Sequence, residues 1–360
     1  MRIVQLIDSL EAGGAERMAV NYANALAEEI PFSALVATRK EGALKKQLAE
    51  RVDYLFLNKK NKVDFQAIVK FRKYLIKNQI QIIHAHSSSF FLAVLTKLSL
   101  PRVKIIWHNH YGNRINETRK ENYILFLCSF LFSACFAVNP ELQQWILKNL
   151  RIRKVFFVPN FIVELDNIDK KTYLKGESNK RIVCLANLKK PKNHITVLKA
   201  FNELKLYHSA WSLHFVGKIY NDDYLVELMS YINDNNLNKD VFLYDAKEDI
   251  SFILSQATIA VLASEYEGFP VCLLEYGFAG LPIISTNVGF CSSIIKHGYN
   301  GLLFSPFEEE ALKKQFLRLT LDNELQNKLG GNIKRDVLKK YSCAEIIKQI
   351  LVKYKDVINE

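Results

Sequence analysis

The sequence lacks the cysteine spacing of a zinc site or a disulfide framework. Its six cysteines include no Cys-x-x-Cys pair, and no arrangement of cysteine and histidine matches a structural zinc site. Most of these cysteines lie in apolar runs, which is typical of buried thiols in a reducing compartment. We therefore expect a cytoplasmic protein that is stabilised without disulfides or zinc.

The sequence also predicts no membrane-spanning segment and no secretory signal peptide. The segment Arg2–Asp8 reads as a short strand ending in an aspartate, without the cleavage site of a signal peptide. The most apolar run, Tyr123–Val138, has 16 residues and contains two serines, which makes it too short to span a bilayer. We predict a buried helix there, followed by a strand at Ala134–Val138. There are no internal repeats or low-complexity segments.

Acidic residues are also few relative to basic residues in the first half of the chain. Residues 1–163 contain 24 basic and 12 acidic residues, whereas residues 164–360 contain 25 of each. The whole excess of +12 therefore belongs to the first half. It points to an anionic membrane surface, an acidic or phosphorylated acceptor, or nucleic acid as a partner. The alternative is a surface whose charge serves only solubility.

Strand and helix patterns alternate along a chain that is long enough for two domains. This alternation predicts two parallel sheets built from βαβ units. The predicted strands of the first half are Arg2–Asp8, Phe32–Thr38, Val52–Leu57, Ile80–Ala85, Val103–His108, Ala134–Val138 and Val155–Pro159. Those of the second half are Arg181–Leu185, Ser212–Val216, Val241–Tyr244, Thr258–Leu262, Pro282–Ser285 and Gly301–Phe304.

Helices and connecting segments complete the predicted organisation. The first helix is predicted at Ala15–Glu29, and Asn139-Pro140 predicts the start of another with Asn139 as its N-cap. The basic segment Lys59–Lys77 is predicted to be a surface helix with its apolar side on the core, the alternative being a membrane-surface helix. The segment 161–180 reads as a linker and irregular entry. The stretch 308–360 is helical in pattern, with breaks at Gly330-Gly331 and Tyr341-Ser342.

The most informative stretch is Glu265–Glu275, which follows a predicted buried strand. Glu267 and Glu275 are separated by seven residues that include Gly268, Phe269 and Pro270. Pro270 suits the first turn of a helix, so Glu267 is placed in a strand-to-helix loop and Glu275 near the helix start. Ligands of open α/β sheets bind where such loops lie. Two surface carboxylates without a ligand would be the ordinary alternative.

This stretch, with Gly280-Leu281-Pro282-Ile283-Ile284-Ser285-Thr286 after it, resembles the signature of glycosyltransferase family 4. The resemblance covers the chain from Gly13 to about Tyr341. It implies a GT-B fold, with two Rossmann-like domains whose parallel sheets face each other across a cleft. The domains would be 1–163, which binds the acceptor, and 164–340, which binds the nucleotide sugar. Residues 341–360 would form a helix that returns to the first domain.

The resemblance also assigns residues near the phosphates of the donor. Gly13-Gly14-Ala15-Glu16-Arg17 follows the first strand and opens a helix, where backbone N–H groups favour anions. It is similar to the family's first-loop motif beside the donor and the acceptor. The Gly-x-Gly-x-x-Gly fingerprint of dinucleotide-binding proteins is absent here, which argues against a dehydrogenase.

In the second half, Leu185–His194 resembles the family segment that holds the donor diphosphate. Lys192 matches the lysine of that segment, whereas Asn187 stands where an arginine is usual and brings no charge. Lys189 or Lys190 is the candidate to replace that charge. Gly217 is expected near the nucleotide. In the glycine loop Ser285–Phe290, Phe290 replaces the family's second glycine and Ser293 its acidic residue, so we assign neither a function.

Four histidines close two strands of the first half: His84 and His86, and His108 and His110. Two residues apart on a strand, the members of each pair should point the same way. His108 aligns with the family's histidine near the transferred sugar, with His110 as the alternative. No carboxylate lies at a spacing that would help a histidine pair bind metal, and we expect neither a metal ion nor another cofactor.

The resemblance implies a retaining, hexosyltransferase-type enzyme that moves a sugar from a nucleotide sugar to a hydroxyl. Glu275 would hold the ribose, Lys192 the diphosphate, and Glu267 the sugar hydroxyls. The acceptor is expected to be a saccharide, lipid-linked as in capsule, O-antigen, lipopolysaccharide or exopolysaccharide assembly. Such an enzyme would be peripheral on the inner face of the cell membrane and would not bind nucleic acid. The alternatives are a nucleotide-sugar epimerase of the same fold and an inactive transferase that binds membranes or anions.

Overall fold

The computed structural model describes residues 1–163, 170–306 and 308–359. The chain forms two compact units, one made of Met1–Phe161 with Cys343–Glu360 and the other of Ile162–Ser342. We call them unit 1 and unit 2. Part of the predicted linker 161–180, residues 164–169, lies outside the described residues, as does the predicted boundary at residue 164.

Unit 1 is built on a parallel sheet of seven strands in the order β3-β2-β1-β4-β5-β6-β7. The strands are β1 Arg2–Ser9, β2 Phe32–Lys40, β3 Asp53–Phe56, β4 Ile82–His86, β5 Lys104–Asn109, β6 Ala134–Ala137 and β7 Val155–Phe157. The intervening helices are α1 Gly14–Glu29, α2 Phe65–Lys77, α3 Phe90–Ser99, α4 Tyr123–Cys128 and α5 Pro140–Asn149. All seven predicted strands of this half are thereby confirmed within a few residues.

Unit 2 repeats this plan with a parallel sheet of six strands in the order β10-β9-β8-β11-β12-β13. The strands are β8 Arg181–Leu185, β9 Ser212–Val216, β10 Val241–Tyr244, β11 Ile259–Leu262, β12 Ile283–Thr286 and β13 Leu302–Phe304. The helices are α6 His194–Glu203, α7 Asp223–Asp234, α8 Ile250–Ser255, α9 Val271–Ala279, α10 Cys291–Ile294, α11 Glu309–Leu321 and α12 Asn323–Lys340. A last helix, α13 Cys343–Ile358, belongs to unit 1 and packs against α1.

The strand orders define where a ligand would bind in each unit. In both sheets the chain starts at a central strand, winds outward to one side and returns to add strands on the other side. The order reverses between β1 and β4 in unit 1, and between β8 and β11 in unit 2. Because helices cover both faces of such sheets, ligands bind at the carboxyl ends of the strands beside this reversal.

Local chemistry explains why several helices begin where they do. The Asn139 side chain accepts a hydrogen bond from the backbone N–H of Leu142 at 2.7 Å, which confirms it as the N-cap of α5. In α2, Ala67, Phe71 and Leu75 are buried, so the prediction of a surface helix with an apolar side on the core is confirmed.

The basic segment before α2 differs from the prediction at one residue. Lys59 belongs to the basic segment that is predicted to lie on the surface, but only 6% of its surface is exposed. Its Nζ donates a hydrogen bond to the Lys62 carbonyl oxygen at 3.4 Å. Burial lowers the pKa of the Lys59 ammonium, and the neighbouring Arg39 charge lowers it further.

The predicted buried helix in Tyr123–Val138 is wrong in its burial. Helix α4 is present, but four large apolar side chains of the segment point to solvent, at Tyr123, Ile124, Leu127 and Phe130. The strand that follows, β6, is fully buried as predicted. The run therefore combines two different environments: the apolar side chains of β6 are buried in the sheet, whereas several of those in and after α4 are exposed.

The predicted helix break at Gly330-Gly331 is also wrong, because α12 continues through both glycines. A Cβ atom on Gly330 would lie 2.2 Å from the carbonyl oxygen of Gly280, at the end of α9. On Gly277 of α9, a Cβ would lie 2.6 Å from a methyl carbon of Val337. Gly330 and Gly277 are therefore required by the close approach of α9 and α12. The break predicted at Tyr341-Ser342 is confirmed.

This packing predicts opposite effects for two adjacent substitutions in α12. Gly330→Ala should lower the free energy of unfolding by about 1–3 kcal/mol, because the added methyl group overlaps the Gly280 carbonyl. Gly331→Ala is the matched control, since a Cβ there meets no atom within 4 Å, and should stabilise the helix by about 1 kcal/mol. Urea denaturation of both variants measures the difference. Equal stabilisation by both substitutions would contradict the close approach.

Candidate functional site

The strongest cluster of predicted site residues lies at the carboxyl edge of the unit 2 sheet. Glu267, in the loop between β11 and α9, accepts hydrogen bonds on Oε1 from Lys192 Nζ at 2.6 Å and from Ser264 Oγ at 2.7 Å. Lys192 ends a 3₁₀ turn, Lys190–Lys192, that follows β8. The Glu267 side chain is 9% exposed and that of Lys192 is 32% exposed. The structure thus joins two residues that lie 75 positions apart.

The electrostatics of this pair keep the ammonium charged. Burial acts to lower the pKa of Lys192, but the charge and hydrogen bond of Glu267 outweigh it and the pKa is raised. The nearby Cys272 thiol has its pKa raised well above the usual range, first by burial and then by the Glu267 charge. Since a thiol is a nucleophile only as the thiolate, Cys272 stays inert beside the ion pair.

Three backbone contacts hold the Glu267 loop in place. The Glu265 N–H donates to the Pro191 carbonyl at 2.9 Å, and Thr286 Oγ1 donates to the Ser264 carbonyl at 2.8 Å. Gly289 lies so close that a Cβ there would be 1.8 Å from the Glu267 carbonyl oxygen, and its φ of +48° also favours glycine. Gly289 was not among the predicted site residues. Its signal in the sequence was a glycine in the loop after β12.

Gly268, Phe269 and Pro270 are all buried, and they connect the loop to the core. The Phe269 ring stacks on Phe290 with centroids 5.0 Å apart and meets the Tyr341 ring edge-on at 5.7 Å. Phe290, which replaces a glycine of the family pattern, therefore packs on the loop. Pro270 occupies the N-cap of α9 and not its first turn, because the helix begins at Val271.

Glu275 lies in the second turn of α9 and is partly buried. The next residue, Tyr276, ties this helix to the sheet: its hydroxyl accepts from the Leu185 N–H at 2.6 Å and donates to the Val261 carbonyl at 3.3 Å. The position of Glu275 therefore depends on contacts with both β8 and β11. Tyr276 is a positioning residue that sequence reasoning missed, because its environment depends on two distant strands.

The loops that contain Asn187 and Gly217 also contact each other at this edge of the sheet. Asn187 Oδ1 accepts a hydrogen bond from the Lys218 N–H at 3.0 Å. A Cβ on Gly217 would lie 2.2 Å from the Ala186 carbonyl oxygen. Asn187 therefore connects the loops after β8 and β9. Lys189 is one of the two lysines that could replace the charge missing at Asn187. Its Nζ lies 4.6 Å from the centroid of the Tyr220 ring.

In unit 1, Gly13 and Gly14 lie where β1 connects to α1. Gly13 is the N-cap, Gly14 is the first helical residue, and the Arg17 N–H donates to the Gly13 carbonyl at 2.9 Å. Gly14 is exposed and Arg17 is partly exposed. The helix start therefore follows the carboxyl end of β1, and a Cβ on Gly13 would lie 2.3 Å from a carboxylate oxygen of Glu16. The role of Gly13, Gly14 and Arg17 near the donor phosphates stays a prediction.

The four predicted histidines come together in one buried group beside β4 and β5. Ring centroids are 4.4 Å apart for His84 and His86, 4.0 Å for His108 and His110, and 5.2 Å for His84 and His108. The members of each pair point the same way, which agrees with strand alternation. We call these residues the histidine cluster.

Hydrogen bonds link the histidine cluster to β1 and α13. His84 contacts the Tyr354 hydroxyl through Nδ1 at 2.6 Å and His108 Nδ1 through Nε2 at 3.1 Å. His86 contacts Gln5 Oε1 through Nε2 at 2.8 Å and His110 Nε2 through Nδ1 at 2.9 Å. The cluster thus anchors α13 to the centre of unit 1.

Exposure distinguishes the two candidates for a sugar contact. His84, His86 and His108 have no exposed surface, whereas His110 is partly exposed. A side chain without exposed surface cannot touch a substrate in this conformation. The assignment of His108 as a sugar contact stays a prediction, as does the alternative, His110, whose Nδ1 atom is buried without a hydrogen-bond partner.

The histidine cluster also contains the group of described residues most suited to a metal ion. One ligand atom from each of His84, His86 and His108 lies within 4.8 Å of the others. Both ring nitrogens of His84 and of His86 already make hydrogen bonds. A metal would have to replace some of these bonds, and the expectation of a metal-independent protein stays a prediction.

Comparison with known proteins identifies the family. A family model described as "Glycosyltransferase Family 4" matches residues 12–164, and one described as "Glycosyl transferases group 1" matches residues 166–336. Together they match most of the sequence. The chain therefore belongs to glycosyltransferase family 4 and is a glycosyltransferase, and the resemblance inferred from Glu267, Glu275 and their neighbours is confirmed.

Individual relatives agree with this assignment. N-acetyl-alpha-D-glucosaminyl L-malate synthase of Bacillus anthracis is 26% identical over 53% of this chain and 49% of its own length. UDP-Gal:alpha-D-GlcNAc-diphosphoundecaprenol alpha-1,3-galactosyltransferase of Escherichia coli is 22% identical over 82% of this chain and 80% of its own length.

A solved structure supports the fold. Anabaena HepE (Alr3699), determined in complex with UDP and glucose, is similar with a TM-score of 0.80 and 15% identity, covering 99% of this chain and 100% of that chain. At this identity the likeness establishes the fold alone, and the predicted GT-B class with two Rossmann-like domains is confirmed.

The buried histidines predict a loss of stability in acid. Burial lowers the pKa of His84, His86 and His108 well below the usual value, and that of His110 to about 3. The unfolded chain therefore binds protons below about pH 6.5 that the folded chain excludes. Stability is present above this pH and should fall by up to about 1.4 kcal/mol per pH unit for each such histidine.

Denaturant midpoints measured from pH 7.5 to pH 4.5 test this dependence, the range following from the usual histidine pKa of about 6.5. His84→Gln should reduce the slope, whereas His208→Gln, at an exposed position, is the matched control and should not. A stability that does not change over this range would show that the histidine cluster takes up protons in the folded protein over the same pH range as in the unfolded chain.

Proposed function

We propose that the protein transfers a hexose, with retention, from a nucleotide sugar to a hydroxyl of a lipid-linked saccharide in cell-surface polysaccharide synthesis. The observation that carries the proposal is the Lys192–Glu267 pair beside the helix that bears Glu275. A cation and a carboxylate meet there at the carboxyl edge of a doubly wound sheet, where such folds bind nucleotides, and Glu275 lies on the helix that follows.

Each member of the group has a distinct role in the proposal. Glu275 accepts hydrogen bonds from the ribose hydroxyls, and Glu267 accepts them from the transferred sugar. Lys192 contacts the diphosphate and stabilises the negative charge that grows as the glycosidic bond breaks. Because Glu267 keeps Lys192 charged in the absence of donor, the cation is in place before the substrate arrives.

The family comparisons support the proposed substrates. The Escherichia coli relative is named for a UDP-galactose donor and a diphosphoundecaprenol-linked acceptor, and HepE was solved with UDP and glucose. We therefore propose a UDP-sugar as the first donor to test. Staphylococcus aureus poly(ribitol-phosphate) alpha-N-acetylglucosaminyltransferase, 22% identical over 69% of this chain, also acts on an anionic polymer according to its name.

The cationic half of the chain supports a peripheral position on the inner face of the cell membrane. Lys60, Lys62, Lys70 and Lys73 are exposed, and each basic residue near an anionic bilayer contributes about 1 kcal/mol. No helix within residues 1–163, 170–306 and 308–359 is long and apolar enough to span a membrane. The epimerase and the inactive-transferase alternatives receive no support from the comparisons.

Glu275→Gln tests the proposed ribose contact. The substitution keeps the side-chain size but removes the charge that strengthens the hydrogen bonds, so UDP affinity should fall by about 1.5–3 kcal/mol. Isothermal titration calorimetry measures the change, and a donor panel identifies the sugar. Unchanged UDP binding in a folded variant would exclude this role.

Lys192→Ala tests the diphosphate contact, with Lys239→Ala as its control. The first should lower turnover by about 10²-fold, because it removes a group that stabilises the departing charge. The second should have little effect, since Lys239 is exposed and precedes β10, at the opposite edge of the unit 2 sheet. Similar turnover in the two variants would remove Lys192 from the mechanism.

His110→Ala and His108→Ala distinguish the two candidates for a sugar contact. If the partly exposed His110 makes the contact, His110→Ala lowers turnover while UDP affinity is kept, and His108→Ala chiefly lowers stability. Turnover, calorimetry and thermal unfolding on the same samples separate these effects. Loss of turnover in a stable His108→Ala variant alone would restore the assignment made from the sequence.

A further inference from the structure

An apolar surface on unit 1 has no function in the site described above. Tyr123, Ile124 and Leu127 of α4, and Phe130 in the following 3₁₀ turn, are 59%, 58%, 49% and 59% exposed. Their spacing places them on one side of a helix, and Leu125 and Cys128 on the other side are buried. We call these four residues the α4 apolar face. Exposed apolar groups of this size mark interaction surfaces.

Cationic side chains surround the α4 apolar face. The guanidinium carbon of Arg119 lies 3.5 Å from the centre of the Phe126 ring. That of Arg151 lies 5.8 Å from Phe126 and 6.0 Å from Phe130. Lys120, which precedes α4, is also exposed.

Acidic residues in this segment are already hydrogen-bonded within it. The Glu121 carboxylate accepts from the Thr118 N–H and hydroxyl at 2.6 and 2.8 Å. Glu117 accepts from Asn122 Nδ2 at 2.9 Å and pairs with Arg114 at 3.4 Å. Three exposed cations, Arg119, Lys120 and Arg151, therefore outnumber the exposed Glu121 beside the α4 apolar face.

We propose that the α4 apolar face enters the headgroup region of an anionic bilayer, with Arg119, Lys120 and Arg151 contacting lipid phosphates. The inference rests on the proposed function, in which the acceptor is lipid-linked. Aromatic and aliphatic groups beside arginines are the composition of elements that lie in a membrane interface. Helix α4 has only six residues, so it lies on the bilayer.

The charges favour a bilayer over a second copy of this chain. Two copies pairing through this face would bring Arg119, Lys120 and Arg151 against the same cations, which is unfavourable. An anionic lipid surface neutralises these cations and accepts the apolar side chains at once. The net +12, carried by residues 1–163, adds long-range attraction in the same direction.

The test removes the apolar side chains and leaves every charge in place. The variant Ile124→Ser, Leu127→Ser, Phe130→Ser is compared with Val226→Ser, Met229→Ser, Leu321→Ser, whose side chains in unit 2 are 63%, 39% and 82% exposed. Binding to vesicles of phosphatidylcholine and phosphatidylglycerol is measured by co-sedimentation. The α4 variant should partition at least about tenfold more weakly than wild type, and the unit 2 variant should bind as wild type does.

Salt separates the two contributions to binding. At high ionic strength the Coulomb attraction is screened, so wild type should keep part of its binding while the α4 variant loses nearly all of it. Equal binding by wild type and the α4 variant would overturn the proposal. It would mean that charge alone brings the protein to lipid.

A second variant tests insertion directly, and its signal is informative even if its affinity for vesicles is reduced. The emission of Leu127→Trp should shift to shorter wavelength on vesicles and be quenched by bromine-labelled lipid chains, relative to the background of the three native tryptophans. An unshifted, unquenched signal from the introduced indole in vesicle-bound protein would overturn the proposal.

Further measurements separate this proposal from the proposed function. Light scattering reports oligomeric state, and a wild-type dimer that the α4 substitutions dissociate would assign the face to self-association and overturn the proposal. With a soluble, short-chain acceptor, the α4 variant should transfer sugar as wild type does. If wild type transfers none in any donor panel, the proposed function fails, whereas the vesicle measurements still decide the surface.

Discussion

The ion pair between Lys192 and Glu267 is the interaction on which the site in unit 2 depends. It joins the loops after β8 and β11, the two strands between which the order of the sheet reverses. Glu267 would be unstable there without Lys192, because an unpaired charge that is largely buried is costly. The surrounding backbone contacts from Pro191, Thr286 and Gly289 allow the two loops to approach closely enough for the pair to form. The helix bearing Glu275 starts from this point and is fixed by α12.

Much of this arrangement could be predicted from the sequence, because apolar runs and glycine spacing have direct physical meaning. All thirteen strands were located, and Glu267, Glu275 and Lys192 were correctly placed on the loops and the helix that bear them. The glutamates were found because they lie in a short motif whose neighbours also match. Lys192 was found because it follows a strand and lies in a segment that resembles the donor loop of the family.

The sequence did not predict whether certain residues face the core, a neighbouring helix or the solvent. The α4 side chains and the β6 side chains are equally apolar, and periodicity in so short a helix does not separate burial from exposure. Gly330 and Gly331 are identical in the sequence, yet only Gly330 approaches another helix. Lys59 has the composition of a surface residue but is enclosed by the loop 59–62. His108 lies within β5 and is buried, whereas His110 follows the end of the strand and is partly exposed.

The return of α13 to unit 1 has a consequence for the order in which the protein matures during synthesis. Unit 2 consists of one continuous segment, Ile162–Ser342, and can complete its core once that segment has left the ribosome. Unit 1 is synthesised first, but His84 lacks the Tyr354 hydroxyl until the helix Cys343–Ile358 emerges. A buried histidine without its partner weakens the core. The part of the protein made first is therefore the part completed last.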